Sequence, residues 1–193
     1  MYKRQGKIIF NFSLKKAQEQ HYYEAINNYQ ITKYNTSDAD KAIAEKAVEI
    51  LKADLAKGYD HIVMARCKNK ARANEVYKIY QQYQDYDPVI VYSGMPNAIG
   101  TLKAIKEKKH RIIVCVNMLG EGYDLPQLKI AAIHDERQSL AVTLQFIGRF
   151  TRTNDIKLGK ASFITNIAYP PIKEEVNSLY QICLLYTSDA ADD

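Results

Sequence analysis

Tryptophan is absent from this 193-residue chain, histidine occurs four times and cysteine three times. Cys67, Cys115 and Cys183 form no C-x-x-C pair, and two of them sit in apolar runs that read as strands. That pattern argues against a disulfide or metal framework and for reduced, buried thiols in a reducing cytoplasm. His21, His61, His110 and His134 show no ligand spacing, so no metal site is expected, and the order of residues supports no Ser-His-Asp or Cys-His grouping. No apolar run approaches the ~20 residues that cross a bilayer, and the start lacks a signal-peptide core, so no membrane partner is expected. Repeats and low-complexity tracts are missing too. So is the phosphate-cradling G-x-x-x-x-G-K-[ST]: Gly6-Lys7 and Gly159-Lys160 lack its spacing and its hydroxyl residue.

What is present is ordinary globular material, 47% hydrophobic and 25% charged, enough for one domain with an appendage. The two ends read as foreign. Met1 to Gln5 can be encoded by GTG TAT AAG AGA CAG and Cys183 to Ser188 by TGT CTC TTA TAC ACA TCT, strings that are reverse complements over most of their length. They resemble a transposon-end sequencing adapter read in opposite directions, so residues 1–5 and 183–193 are expected to be adapter scars. Leaving out Lys3, Arg4, Asp189, Asp192 and Asp193 moves the net charge from +5 to +6. A mild basic excess suits a polyanion, though many proteins that bind none share it.

Residues 6–59 read as a connecting segment followed by a helix. The segment holds an apolar run over Lys7 to Phe12, a polar helical piece, and a strand-like piece over Gln30 to Tyr34. In the helix, Ala42, Ile43, Ala47, Ile50, Leu51 and Leu55 recur at helical spacing, with Ser37 or Asp38 as N-cap and Gly58 as the stop. From residue 60 to about 170 the pattern is regular. Strands are expected at His61 to Arg66, Pro88 to Tyr92, Arg111 to Val116, Lys129 to His134 and Ala161 to Asn166, and helices at Lys70 to Tyr83, Asn97 to Lys109 and Ser139 to about Arg149. Residues 171–182 would begin a following segment. Short apolar strands alternating with helices predict an α/β fold, a doubly wound and mainly parallel sheet with helices on both faces. Ligands of such sheets bind beyond the carboxyl ends of the strands. Tyr77, Tyr80 and Tyr83, on one helix, are expected to pack with their hydroxyls at the surface.

Two stretches stand out against this background: Gly120-Glu121-Gly122-Tyr123-Asp124-Leu125-Pro126, and Gln145-Phe146-Ile147-Gly148-Arg149-Phe150-Thr151-Arg152. Arginines three apart on a helix project from one face, a geometry suited to gripping polyphosphate oxygens. The pair, G-E-G-Y-D-L-P followed about twenty residues later by Q-x-x-G-R-x-x-R, resembles motifs V and VI of superfamily-two helicases and translocases. Both motifs lie in the second RecA-like domain of those enzymes. The spellings resemble most the DEAD/DEAH-type helicases related to the Res subunits of restriction enzymes.

The resemblance implies a division of labour. Arg149 and Arg152 would be arginine fingers that stabilise the charge of a transferring phosphoryl group, with Gln145 and Gly148 beside them. Gly122 and Asp124 would face the nucleotide. Asn117 would touch the nucleic-acid backbone, at a position where Thr or Ser is common in the superfamily. Arg66, at the place of motif IV, and Ser93 with Gly94 after the next strand would add donors along the same rim, beside Lys68 and Lys70. ATP and Mg2+ would be held mainly by a first RecA-like domain that this chain lacks, and the nucleic acid would be DNA or RNA, with DNA favoured. Asp135-Glu136, after an apolar strand, mimics a metal-binding carboxylate pair, but without the phosphate loop it reads as a polar connection. Two alternatives remain open: a non-catalytic RecA-like module that binds nucleic acid or protein, and a nucleotide-binding doubly wound domain of another family.

Overall fold

The computed structural model describes residues 27–116, 125–134 and 159–168. Within them the chain forms β1 (Asn27–Ile31), α1 (Thr36–Ala56), β2 (Ile62–Cys67), α2 (Lys70–Tyr80), a short 3-10 turn at Gln84–Tyr86, β3 (Val89–Val91), α3 (Ala98–Lys106), β4 (Ile112–Val116), β5 (Leu128–Ile133) and β6 (Ser162–Asn166). The six strands make one sheet in the order β1-β6-β5-β2-β4-β3, and every pairing is parallel. The expected doubly wound parallel sheet is therefore present.

The handedness of its crossovers explains the layers. From β1 to β2 and from β2 to β3 the chain moves one way across the sheet, and α1 and α2 cover one face. From β3 to β4 it steps back, and α3 covers the other. Right-handed crossovers require this: reversing direction along a parallel sheet puts the connecting helix on the opposite face. Strand alternation separates two cores. Val63, Ala65, Cys67, Ile112, Val114, Ile130, Ala132 and Ile164 pack under α1 and α2, while Ile62, Met64, Ile113, Cys115, Ala131 and Ile133 pack with Ile105 of α3. Because both faces are covered, β2 is buried at all six positions, which is why it reads as an unbroken apolar run. Cys67 and Cys115 are buried, and neither is in a disulfide.

The stretch before residue 60 enters the same sheet. β1 pairs with β6 from Asn27↔Ser162 to Ile31↔Asn166, and Tyr29 and Ile31 join the core under α1. The Asn166 side chain fastens the loop after β1, accepting from Lys33 N at 3.1 Å and donating to Lys33 O at 2.7 Å. The start of α1 differs from expectation. Asn35, not Ser37 or Asp38, is its N-cap: its side-chain oxygen accepts from the amides of Ser37 at 2.9 Å and Asp38 at 3.2 Å. Asp38 sits instead in the first turn, where a carboxylate favours the positive end of the helix dipole. At the other end Gly58 turns the chain out of the helix at φ +84°, a backbone region costly for residues with a Cβ.

Candidate functional site

Because all six strands run in parallel, their carboxyl ends form one rim, and the first turns of α1, α2 and α3 rise from it. α2 begins there at Asn69, whose side chain caps the helix by accepting from Arg72 N at 2.9 Å. Lys70, the next residue, extends sideways over the loop that follows β3. Its Nζ lies 5.0 Å from the centroid of the Tyr92 ring and 3.9 Å from where a Cβ on Gly94 would stand. Such an ammonium over an aromatic face is held in place without being neutralised. Tyr92 to Met95 makes a tight turn, closed by Met95 N donating to Tyr92 O at 3.3 Å, with Gly94 at φ +78°. Ser93 and Gly94 are exposed at its tip.

Arg66, near the end of β2, is level with Cys115 of β4 and Ile133 of β5, and it is buried at 9% exposure. Strand alternation puts it on the α3 face with Ile62 and Met64. Val91 of β3 is also level with Cys115, so Arg66 and the Ser93-Gly94 turn flank the end of β4 from its two sides. Of the residues singled out from the sequence, the structure thus brings Arg66, Ser93 and Gly94 to one rim. Asn117, Gly122, Asp124, Gln145, Gly148, Arg149 and Arg152 lie outside the described residues, as does the Asp135-Glu136 pair.

Directly beneath the rim is a polar network that the sequence did not announce. His134 follows β5; its amide donates to Arg66 O at 3.0 Å, and its ring Nδ1 is 2.9 Å from Asp40 Oδ1 of α1. The ring Nε2 is 3.1 Å from the hydroxyl of Tyr80, the last residue of α2. Arg72 of α2 closes the group, donating to Asp40 Oδ2 at 2.6 Å and to Glu75 at 2.6 Å. Burial alone would raise the Asp40 carboxyl, but the hydrogen bonds and charges of His134 and Arg72 together hold it below its ordinary value. The same contacts raise Arg72 against the effect of burial. Tyr80 is pushed well above its ordinary value, chiefly by burial. An ion pair so enclosed persists only because its remaining polar atoms are also bonded.

Tyr80 corrects an expectation. Its ring is wholly buried and its hydroxyl points inward to His134, not to the surface. Tyr77 likewise turns its hydroxyl to Pro88 O, at 3.2 Å. A signal for the network did exist: Asp40 shares the helical stripe of Ile43, Ala44 and Ala47, and a carboxylate on a buried stripe needs a partner.

The family description "Helicase conserved C-terminal domain" matches residues 42–154. The ATP-dependent RNA helicase SUB2 of Lodderomyces elongisporus is 27% identical over 117 residues, covering 60% of this chain and 27% of that protein. Among solved structures, S. cerevisiae Dbp5 bound to RNA and ADP BeF3 superposes with a TM-score of 0.61 at 15% identity, over 81% of this chain and 38% of that one. The C-terminal domain of the DEAD-box protein Dbp5 gives 0.60 at 15% identity, over 81% of this chain and 84% of that one. At such identities the likeness speaks for the fold, which is RecA-like. This chain therefore corresponds to about a quarter of the curated relative and to most of an isolated second domain.

Proposed function

We propose a function from the premise that the chain belongs to the helicase conserved C-terminal domain family: it is the second RecA-like domain of an ATP-dependent nucleic-acid helicase or translocase. The observation that carries this reading is the span of the family match, which takes in both the G-E-G-Y-D-L-P and the Q-x-x-G-R-x-x-R stretches. The all-parallel sheet supports it by bringing Arg66 and the Ser93-Gly94 turn to either side of the strand from which the first stretch departs.

In this reading the rim receives the sugar-phosphate backbone. Lys70 and the exposed turn amides of Ser93 and Gly94 offer donors that need no base identity, as backbone contacts do. Asn117 adds to that surface. Arg149 and Arg152, with Gln145 and Gly148, reach a nucleotide faced by Gly122 and Asp124 but held by another domain. Among the described residues no group of three or more His, Cys, Asp or Glu side chains is placed to hold a metal ion. In this reading ATP and Mg2+ are held mainly by the first RecA-like domain, because this chain carries no G-x-x-x-x-G-K-[ST] phosphate loop. The Res-like spelling of the motifs points to DNA, whereas the curated relative carries RNA in its name; the rim donors serve either polymer.

The test is ATP hydrolysis stimulated by single-stranded nucleic acid, measured on the 193-residue chain and on the full-length parent protein. The chain alone should show no turnover above background. The parent should turn over, and Arg149→Ala with Arg152→Ala should reduce its kcat by about a thousandfold or more, as expected for loss of an arginine finger. Steady stimulated turnover by the isolated chain, or an unimpaired double variant, would overturn the assignment.

A further inference from the structure

Among the described residues two large hydrophobic side chains stand in solvent, and one of them, Ile99, is 86% exposed in the first turn of α3. Its position is built by the loop before it. Gly94 at φ +78° and Asn97 at φ +56° both take the left-handed conformation, and Asn97 O accepts from Thr101 N at 3.0 Å as the helix begins. The Asn97 side chain folds back over Gly100, where an added Cβ would meet its Oδ1 at 2.4 Å. The missing side chain of Gly100 thus leaves room for Asn97, and the isoleucine beside it stands in solvent, with exposed Pro96 and half-buried Met95 before it.

The surroundings say what this tip faces. From Tyr92 to Gly100 the chain carries no charge; the cations of α3 come in its last turn, where Lys103, one turn on from Ile99, lies 3.9 Å from Glu107. Among the described residues, Lys70 holds a charge beside the loop, seated on Tyr92 next to Gly94. Five residue steps lead from Gly94 to Ile99, a span of at most ~17 Å, and Lys70 Nζ is 3.9 Å from a Cβ position on Gly94, so the tip lies within roughly 22 Å of the cation, a reach of a few nucleotides. A cation followed by a protruding aliphatic side chain matches a single strand, whose phosphates are anionic and whose bases offer apolar faces. Resting on the reading of the rim as a nucleic-acid surface, we propose that Ile99, backed by Met95 and Pro96, is an apolar wedge that packs against a base and breaks its stacking while Lys70 holds the neighbouring phosphate.

The experiment uses the full chain and single-stranded DNA and RNA oligonucleotides carrying 2-aminopurine, whose emission rises when the base unstacks. Affinity, its salt dependence and emission are read for wild type, Ile99→Ser and Lys70→Gln. Wild type should bind and brighten the probe. Ile99→Ser, at a site too exposed to disturb folding, should bind about tenfold more weakly, keep the salt slope and lose the brightening. Lys70→Gln should lower the slope by about one and still brighten the probe when saturated. Salt-sensitive binding with Ile99→Ser indistinguishable from wild type overturns the wedge and leaves the rim assignment standing. No binding of either polymer removes both. Loss of docking to the first RecA-like domain in Ile99→Ser, with nucleic-acid behaviour intact, overturns the wedge in favour of a protein contact.

Discussion

Replacing Asp40 by asparagine tests whether the network under the rim holds the domain together. The carboxylate receives two hydrogen bonds from groups that can carry charge, Arg72 at 2.6 Å and His134 at 2.9 Å, and its side chain is only 5% exposed. Each such bond contributes about 1.5–3 kcal/mol. An asparagine oxygen can keep one, while its amide N–H groups would face the other donor, so one bond is lost and a mismatch added. The expected loss is about 2–4 kcal/mol at neutral pH, or roughly 5–15 °C in Tm for a domain of this size. The pH dependence follows from the direction of the shift. Asp40 is held below its ordinary value in the folded state, so its contribution is complete above the unfolded-state pKa of about 3.9 and fades as pH falls through the lower folded value. Urea denaturation of wild type and Asp40→Asn should give a constant gap from about pH 7 to 5 that narrows below about pH 4. A gap under about 0.5 kcal/mol at neutral pH, or one that persists unchanged into acid, refutes the reasoning.

Asp60 supplies the contrast: it also meets two cations, Lys108 and Arg111, but is 35% exposed, so Asp60→Asn should cost under about 1 kcal/mol in denaturation and less at high salt. Tyr80→Phe keeps the ring and leaves the His134 Nε2 without its partner, for a loss of about 1–2 kcal/mol, whereas Tyr80→Ala adds a cavity and should cost about 3–5 kcal/mol. Because Tyr80 is raised well above its ordinary value, its contribution is complete below the unfolded-state pKa of about 10 and lost as pH climbs through the folded one, so wild type should lose stability in alkali more steeply than Tyr80→Phe. Gly58→Ala should cost about 1 kcal/mol by thermal melting, and Gly58→Asn less, since φ is +84° there but nothing crowds the position.

The strands were legible because a parallel sheet covered on both faces demands unbroken apolar runs, and β2, β4 and β5 each lie within two residues of where those runs predict them. Helix ends were less so. Asn35 outcompetes Ser37 and Asp38 as cap because its side-chain oxygen reaches both free amides, a choice decided by backbone conformation and not by residue type. The pairing of β1 with β6 joins residues well over a hundred positions apart, and no local pattern at Asn27–Ile31 encodes a partner so distant. At the rim, position was readable and environment was not. Arg66, Ser93 and Gly94 could be placed at strand ends by counting, but whether a residue there faces solvent or core depends on which helix passes over it. That is why the Tyr80 hydroxyl was expected at the surface and lies inside.

The network also bears on how the rim can work. His134 directly follows β5, at the point from which the sequence continues toward the arginine pair. That point is fixed by three elements at once: by β2 through the Arg66 carbonyl, by α1 through Asp40 and by α2 through Tyr80. Moving it relative to the rim would take from the buried Asp40 carboxylate one of its two side-chain hydrogen bonds and from the Tyr80 hydroxyl its partner, a change costing about 2–4 kcal/mol. Thermal motion supplies a small fraction of that. Rearrangements within the domain are therefore disfavoured against motions of the domain as a unit, and the donors along the rim keep their spacing. Groups that meet a polyanion from a fixed frame lose less side-chain and loop freedom on binding than groups that must first be gathered. A buried ion pair that contributes little net stability compared with apolar packing can thus still be retained, because it holds the floor of the rim in one arrangement.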